Sequence, residues 1–297
     1  MKFRIEGLVP ALLTPFTKNG AQVDYDKACA LANRLADQGV AGVFPCGTTG
    51  EGMLMSLNER KKLAEEVVAA AGKRIKVIIH VGCLDTASTI ELARHAMEAG
   101  AAAAGAIAPG FYAYDDAALM RHYKMVAAAV KGFPLFLYNL PGCAKNELSP
   151  DLILRLAHEV DNIVGLKDSA GAIHKLSIVL DGAPRGFVAL NGVDEYTYEA
   201  KLTGANGSVT STGNVAPELF LNIYRALEKG NLKRARSAQA TLSGACRLFQ
   251  YGKMVAYYKE GLRLRGFDAG YVRPPQRELT AAEKRAFAKG LEDAGLI

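Results

Sequence analysis

Short apolar runs rich in β-branched residues alternate along the chain with longer amphipathic runs, repeating about every 25 to 30 residues. This alternation predicts strands separated by helices. Strands are predicted over residues 8–15, 40–46, 76–81, 104–108, 135–139, 163–167, 187–191 and 207–211. Helices are predicted over residues 25–38, 57–71, 87–99, 117–130, 150–159 and 172–180. Asp24, Ser56 and Ser149 supply start signals for three of these helices.

Eight strand–helix units within about 230 residues predict an α/β protein with a (β/α)8 TIM barrel. We expect a catalytic barrel domain over residues 1–230 and a C-terminal helical extension over residues 231–297. An open doubly wound sheet is the alternative, but it usually carries a glycine-rich phosphate-binding turn after its first strand. Residues 12–16 contain no glycine. In a barrel the carboxyl ends of the strands line the active site.

The composition narrows the class of protein. With 297 residues, 50% of them hydrophobic, the chain can bury a sizeable core. No run reaches the roughly 18 to 20 apolar residues of a membrane helix, and no signal peptide is recognisable. Five widely spaced cysteines without a C-x-x-C pair fit reduced thiols in the cytoplasm. The net charge of +6 accompanies no nucleic-acid-binding motif, so we expect a cytoplasmic protein that binds neither nucleic acid nor membrane.

The candidate nucleophile is Lys167, which ends the apolar run of the sixth predicted strand. Burial disfavours the charged form of an amine, and a neutral amine attacks carbonyl carbons. The imine formed in this way withdraws electrons from a neighbouring carbon–carbon bond. The alternative is an ordinary strand-end lysine, solvated beside Asp168.

Two further strand ends carry polar groups that a barrel would aim at the same cavity. Thr48 and Thr49 lie between glycines after the second strand, where their hydroxyl and backbone N–H groups can hold a carboxylate. Tyr138 ends the fifth strand, and its phenol can relay protons beside an imine. Each has a structural alternative, since Gly-Thr-Thr-Gly also suits a turn and a buried tyrosine often only packs.

Together these segments resemble the dihydrodipicolinate synthase / N-acetylneuraminate lyase family of class I pyruvate-handling enzymes. The resemblance spans nearly the whole chain, in ordered motifs at strand ends. The matching segments are Thr14-Pro15-Phe16, Gly47-Thr48-Thr49-Gly50-Glu51, Tyr138-Asn139-Leu140-Pro141, Gly165-Leu166-Lys167-Asp168 and Asn214.

The resemblance implies a role for each of these residues. Lys167 would form a Schiff base with the keto carbon of pyruvate or another small-molecule 2-keto acid. Tyr138 would relay protons while hydrogen-bonded to Thr48. Thr49 and the backbone near Val209 would hold the substrate carboxylate. No cofactor is predicted.

Two segments bear on the second substrate. Synthases of the family that use aspartate semialdehyde have an arginine where this chain has Cys143, and Lys145 nearby is a flexible point charge rather than a bidentate group.

After the seventh strand, Gly192 is followed by Asp194 and Glu195, which are similar to the acidic pair that binds the polyol tail of the sugar in sialic acid lyases. Ser211 resembles a residue whose hydroxyl group also contacts the substrate in that subfamily. The alternative for the acidic pair is a helix N-terminus, where the helix dipole favours carboxylates.

One segment departs from the family pattern. Family members carry a tyrosine after the fourth strand that reaches into the neighbouring subunit's site and completes a relay with Thr48 and Tyr138. Here Phe111 occupies that position and Tyr112 follows it. Either the loop shifts to present Tyr112 as the third catalytic hydroxyl, or the relay is altered. The family expectation is a homotetramer.

The sequence leaves three functions open. The first is a Schiff-base aldolase that cleaves a 2-keto-3-deoxy sugar acid, or an N-acetylneuraminate-like substrate, to pyruvate and an aldehyde. The second keeps the imine but dehydrates a keto-deoxy sugar acid or condenses pyruvate with a semialdehyde. The third is a keto-acid-binding protein without turnover. No metal is predicted, because the five histidines are scattered and form no H-x-H or H-E-x-x-H motif.

Overall fold

Eight parallel strands form a nearly closed barrel in the computed structural model, which describes residues 3–297. The strands are β1 (Gly7–Pro10), β2 (Gly42–Val43), β3 (Lys76–His80), β4 (Ala103–Ile107), β5 (Leu135–Asn139), β6 (Ile163–Asp168), β7 (Val188–Asn191) and β8 (Gly207–Thr210). From β2 to β8 each strand pairs with the next one along the chain, and β1 pairs with β8. The predicted (β/α)8 TIM barrel is confirmed.

Helices follow the strands and cover the outside of the barrel. They are α1 (Tyr25–Asp37), α2 (Leu57–Ala71), α3 (Thr86–Glu98), α4 (Asp116–Ala129), α5 (Pro141–Ala144), α6 (Pro150–Glu159), α7 (Ile173–Gly182), α8 (Thr197–Thr203), α9 (Pro217–Glu228), α10 (Leu232–Leu248), α11 (Val255–Leu264) and α12 (Ala281–Asp293). The predicted domain boundary at residue 230 falls in the turn between α9 and α10, which pack against each other. The division into two domains stays a prediction. Among residues 3–297, no helix combines the length and apolar character that crossing a membrane requires.

Local side-chain chemistry explains where the helices begin. Asp24, Ser56 and Ser149 each accept a hydrogen bond from a backbone N–H in the first turn of the helix that follows. At Ser56 the bond is reciprocal, because the Glu59 carboxylate accepts from the Ser56 backbone N–H. The three start signals in the sequence are therefore confirmed.

The first two strands are shorter than predicted. Strand β1 ends at Pro10 rather than at residue 15. Beyond it, the Leu13 N–H donates to Asn214 Oδ1 at 3.1 Å, and the Thr14 hydroxyl donates to the Gly50 carbonyl at 2.6 Å. Strand β2 stops before Cys46, whose φ of 62° turns the chain.

Glycines allow the interior to accept large rings. A Cβ on Gly105 would lie 2.8 Å from the Phe44 ring, and one on Gly165 would lie 2.4 Å from the Phe136 ring. Both rings are almost fully buried. The ring of Phe44 packs edge-on against Tyr138, with centroids 5.9 Å apart, and so forms the floor under the strand ends.

The barrel closes where β1 lies between β2 and β8. Gly7 pairs with Gly207 across the β1–β8 junction, and a Cβ on Gly207 would lie 2.0 Å from the Gly7 carbonyl oxygen. On the other side, the Phe44 N–H donates to the Pro10 carbonyl at 2.8 Å. Closure of the barrel therefore requires glycine at position 207.

We predict that Gly207→Ala lowers the free energy of unfolding by roughly 1–3 kcal/mol, because the added methyl group forces β1 and β8 apart. Denaturant unfolding followed by circular dichroism measures the change. The matched control is Gly244→Ala on α10, where the nearest heavy atom to the new Cβ is 3.7 Å away. Equal stability of the two variants would contradict this account of closure.

Candidate active site

A cavity of about 360 Å³ opens at the carboxyl ends of the strands. Its wall contains nine of the ten sequence-predicted site residues, namely Lys167, Tyr138, Thr48, Thr49, Val209, Gly192, Asp194, Glu195 and Ser211. The tenth, Tyr112, does not line this cavity within one chain.

A larger cavity of about 840 Å³ opens at the opposite, amino end of the barrel. It lies between residues 3–6 and residues 185–188. Its charged lining residues are Arg4, Glu6 and Arg185, and Lys201 pairs with Glu6 at 2.6 Å. None of the described residues that line this cavity is a lysine, and arginine does not lose its proton in proteins, so the lining offers no amine nucleophile. The carboxyl end is therefore the candidate active site.

The side chain of Lys167 is buried at the centre of the site, with 5% of the residue exposed. Its Nζ lies 3.6 Å from the centroid of the Tyr138 ring and 4.8 Å from that of Phe44. Asp168 points to the other face of β6, as alternate residues of a strand do, and accepts from Asn139 Nδ2 at 3.0 Å. The interpretation of Lys167 as a solvated surface lysine beside Asp168 is therefore wrong.

The Tyr138 phenol lies beside the amine because β5 and β6 pair in register at these two residues. Its oxygen is 3.4 Å from Thr48 Oγ1. Behind the ring, His80 packs edge-on with centroids 5.7 Å apart, and burial lowers the pKa of His80 well below its ordinary value. The neutral imidazole of His80 therefore lies behind the Tyr138 ring. The hydroxyl groups of Tyr138 and Thr48 form a chain that leads from the side of Lys167 toward the rim.

The Thr49 side chain faces the last strand. Its Oγ1 is 2.6 Å from Ser211 Oγ, which follows β8. Val209 on the same strand also lines the cavity. Two hydroxyl groups and the nearby backbone thus form a short polar wall on one side of Lys167, of the kind that can bind a carboxylate.

Asp194 lies in the wall of the cavity after β7 and is 8% exposed. Its Oδ2 accepts from the Thr212 N–H at 3.3 Å. Burial raises the pKa of Asp194 to about 7, the neighbouring Glu195 adds to the increase, and Thr212 and Lys167 oppose it. Asp194 also begins the short 3-10 turn, Asp194–Tyr196, that leads into α8, so the same carboxyl lies in the cavity wall and near a helix start.

The loop after β4 directs its aromatic side chains away from the cavity of its own chain. Phe111 has a φ of 70° and is 74% exposed, and Tyr112 is 65% exposed. Their rings contact each other with centroids 4.9 Å apart. The Asn146 amide donates to the Pro109 and Tyr112 carbonyls at 2.8 and 2.7 Å and so holds the loop in this form.

The C-terminal helices supply a wall that sequence reasoning missed. Cys246 on α10, Tyr251 and Gly252 in the following turn, and Val255 and Tyr258 on α11 all line the cavity. Burial raises the pKa of the Cys246 thiol and of the Tyr258 phenol above their usual ranges, so both stay protonated. In the sequence, the apolar run that begins at Met254 indicates a buried helix in this region. It does not indicate that the helix packs against the mouth of the barrel.

Charge is distributed unevenly over the cavity. Among the described lining residues, Lys167 is the one cation, while Asp194 and Glu195 are acidic. Cys143 lines the cavity, whereas Lys145 is exposed and lies outside the lining. Within residues 3–297 no group of three or more histidine, cysteine or acidic side chains is arranged to hold a metal ion.

Comparison with known proteins gives relatives over the full length of the chain. A model of the dihydrodipicolinate synthetase family matches residues 4–294. An uncharacterized DapA-like lyase of Halobacterium salinarum is 36% identical over 99% of this chain and 95% of the relative. The 4-hydroxy-tetrahydrodipicolinate synthase of Methanopyrus kandleri is 33% identical over 100% and 99%. A putative 2-dehydro-3-deoxy-D-gluconate aldolase of Escherichia coli, YagE, is 32% identical over 94% and 93%.

Solved structures agree with these relatives. The crystal structure of Escherichia coli YagE in complex with pyruvate has a TM-score of 0.93 at 30% identity, covering 98% of this chain and 99% of that one. The dihydrodipicolinate synthase of Aquifex aeolicus has a TM-score of 0.92 at 29% identity, covering 99% of each chain. The chain therefore belongs to the dihydrodipicolinate synthetase family of class I pyruvate-dependent lyases and synthases.

Proposed function

We propose that this enzyme cleaves a 2-keto-3-deoxy sugar acid to pyruvate and an uncharged hydroxyaldehyde. The observation that carries the proposal is the charge of the cavity. Lys167 is used in the Schiff base, which leaves no basic residue in the described lining to bind a second carboxylate. Glu195 is acidic, and Asp194 is a buried acid whose pKa of about 7 keeps it partly protonated at neutral pH. Carboxylates accept hydrogen bonds from hydroxyl groups and repel a second carboxylate. A polyhydroxy tail therefore suits this wall better than an acidic aldehyde does.

The first step forms the imine. The amine of Lys167 attacks the keto carbon, and water leaves to give a protonated imine. Thr49, with Ser211 at 2.6 Å, and the backbone near Val209 hold the substrate carboxylate. The aromatic rings that surround Lys167 limit the access of water to the amine.

The second step breaks the bond between carbons 3 and 4 of the substrate. Tyr138 takes the proton from the hydroxyl on carbon 4, the aldehyde forms, and the bonding electrons move into the imine to leave an enamine on Lys167. As it does so, the phenol of Tyr138 gives its own proton to Thr48, 3.4 Å away, which passes a proton on toward the rim. Protonation of the enamine and addition of water then release pyruvate and restore the amine.

Two other reactions use the same imine. Condensation of pyruvate with a semialdehyde is supported by the synthase names of several relatives, but it lacks a cationic partner at Cys143 for the second carboxylate. Dehydration of a keto-deoxy sugar acid needs the same lysine and tyrosine and yields no aldehyde. Product analysis separates the three reactions.

We expect Lys167 to carry the covalent intermediate. The protein is incubated with pyruvate and reduced with borohydride, and peptide mapping by mass spectrometry then finds the adduct on Lys167. Lys167→Ala loses the adduct and pyruvate release, whereas the control Lys175→Ala, which removes an exposed ion pair with Glu147, keeps both.

The same preparation is assayed with 2-keto-3-deoxy sugar acids and, separately, with pyruvate plus aspartate semialdehyde. Release of pyruvate and a hydroxyaldehyde supports the proposal. Condensation without any cleavage of sugar acids would assign the synthase reaction instead.

Asp194 should make folding stability depend on pH. Because its folded pKa of about 7 lies above its ordinary value of 3.8, the folded protein retains this proton, and stability falls as pH rises through that interval. In Asp194→Asn this part of the loss is absent, so the variant gains roughly 2–4 kcal/mol relative to the wild type between pH 4 and 8. Thermal unfolding of both proteins across this range measures the difference. If the stability of the two proteins changed with pH in the same way, the raised pKa of Asp194 in the folded protein would be contradicted.

We further propose that the enzyme is a homotetramer in which the partner subunit's Tyr112 completes the hydroxyl relay. Tyr112→Phe should reduce kcat at least about tenfold while the borohydride adduct still forms, because only proton transfer is affected. The control Tyr114→Phe removes a hydroxyl from the same loop. Sedimentation of a monomer at working concentration, or full activity of Tyr112→Phe, would contradict the shared site.

A further inference from the structure

The loop that carries Thr48 and Thr49 is bracketed by two residues in an unfavourable backbone conformation. Cys46 has a φ of 62° and Glu51 a φ of 55°, both in the left-handed region that favours glycine. Such residues persist where surrounding contacts hold them, and they concentrate at active sites. The two threonines therefore lie in a segment whose shape must be maintained by its neighbours.

Cys46 is held from within the barrel. Its carbonyl oxygen is 2.9 Å from His80 Nδ1, and a Cβ on Gly52 would lie 1.8 Å from the same oxygen. The chain can return past Cys46 because residue 52 is glycine. This end of the loop is thus fixed by close backbone packing.

Glu51 is held from outside the barrel, by a buried ion pair. Its side chain is 0% exposed, and Oε1 lies 2.7 Å from Lys259 Nζ on α11. The other carboxylate oxygen accepts from the Arg273 N–H at 2.8 Å. Lys259 also donates to the carbonyls of Thr14, at 2.7 Å, and Tyr271. Each charge therefore has several partners, and removal of one leaves the other buried without its counterion.

The ion pair connects two walls of the active site. Glu51 follows directly after the segment containing Thr48 and Thr49, and Lys259 follows Tyr258, which lines the cavity from α11. We propose that the Glu51–Lys259 ion pair is a positioning element, which holds the Thr48 and Thr49 hydroxyl groups in their working places relative to Lys167. This inference rests on the roles that the proposed function gives to the two threonines.

Loss of the pair should affect two measurable steps. If Thr49 moves, pyruvate binds more weakly, because the carboxylate loses a hydrogen-bond partner. If Thr48 moves, its 3.4 Å contact with the Tyr138 oxygen lengthens and proton transfer slows. Exchange of the methyl hydrogens of pyruvate for deuterium requires both steps and needs no second substrate.

The experiment compares Glu51→Gln, Lys259→Met and the double variant with Val126→Ala, a fully buried core change on α4 outside the cavity lining. Deuterium exchange into pyruvate is followed by proton NMR, and amide hydrogen exchange of residues 46–52 by mass spectrometry. We expect each single charge variant to raise the KM for pyruvate and lower the exchange kcat, each about tenfold. The double variant should lose no more than the worse single variant, since the two residues act as a pair.

Val126→Ala separates positioning from general destabilisation. It should lower the melting temperature while leaving KM, kcat and the amide protection of the loop unchanged. Equal kinetic effects in Val126→Ala, or wild-type KM, kcat and loop protection in the folded charge variants, would overturn the inference. A loop that loses protection only in the charge variants, in an enzyme that cleaves no sugar acid, would uphold the positioning role and reject the proposed substrate.

Discussion

The placement of one buried amine among aromatic rings is the constraint on which the site depends. Lys167 lies against the rings of Tyr138 and Phe44, and the register of β5 and β6 brings the phenol beside it. Phe44 fits under both because Gly105 on β4 has no side chain. An amine that reacts with ketones must be shielded from bulk water and still reach a cavity. The barrel provides both conditions at the carboxyl end of its strands.

The selectivity that we propose for this reactive centre rests on the charge of the cavity. Hydroxyl groups of Thr49 and Ser211 lie on one wall, and the carboxyl groups of Asp194 and Glu195 lie on another. The relatives include proteins with synthase and with aldolase names, so the shared imine chemistry does not by itself choose the second substrate. Loops after the strands differ more freely than the strands that hold the lysine. The proposed selectivity therefore depends on these two walls.

Much of the fold and the site was predictable because both follow from local patterns. The alternation of strands and helices predicted the barrel, and the barrel geometry brought Lys167, Tyr138 and the two threonines to one end. Strand β1 was predicted to end too late, since the Leu13 N–H bonds to the side chain of Asn214, which follows β8 and is 201 residues away in the sequence. Periodicity cannot show such a long-range competitor.

The sequence by itself determined the order of elements and the family, because both follow from local patterns and from motifs at the strand ends. The nucleophile Lys167 stays a prediction from the sequence. Only the tertiary structure decided which way Asp168 points, that Asp194 is buried, and that α10 and α11 form a wall with Cys246 and Tyr258. These features depend on packing between residues far apart in the chain. Burial, and with it the pKa of an acid, is a property of the assembled fold rather than of any segment.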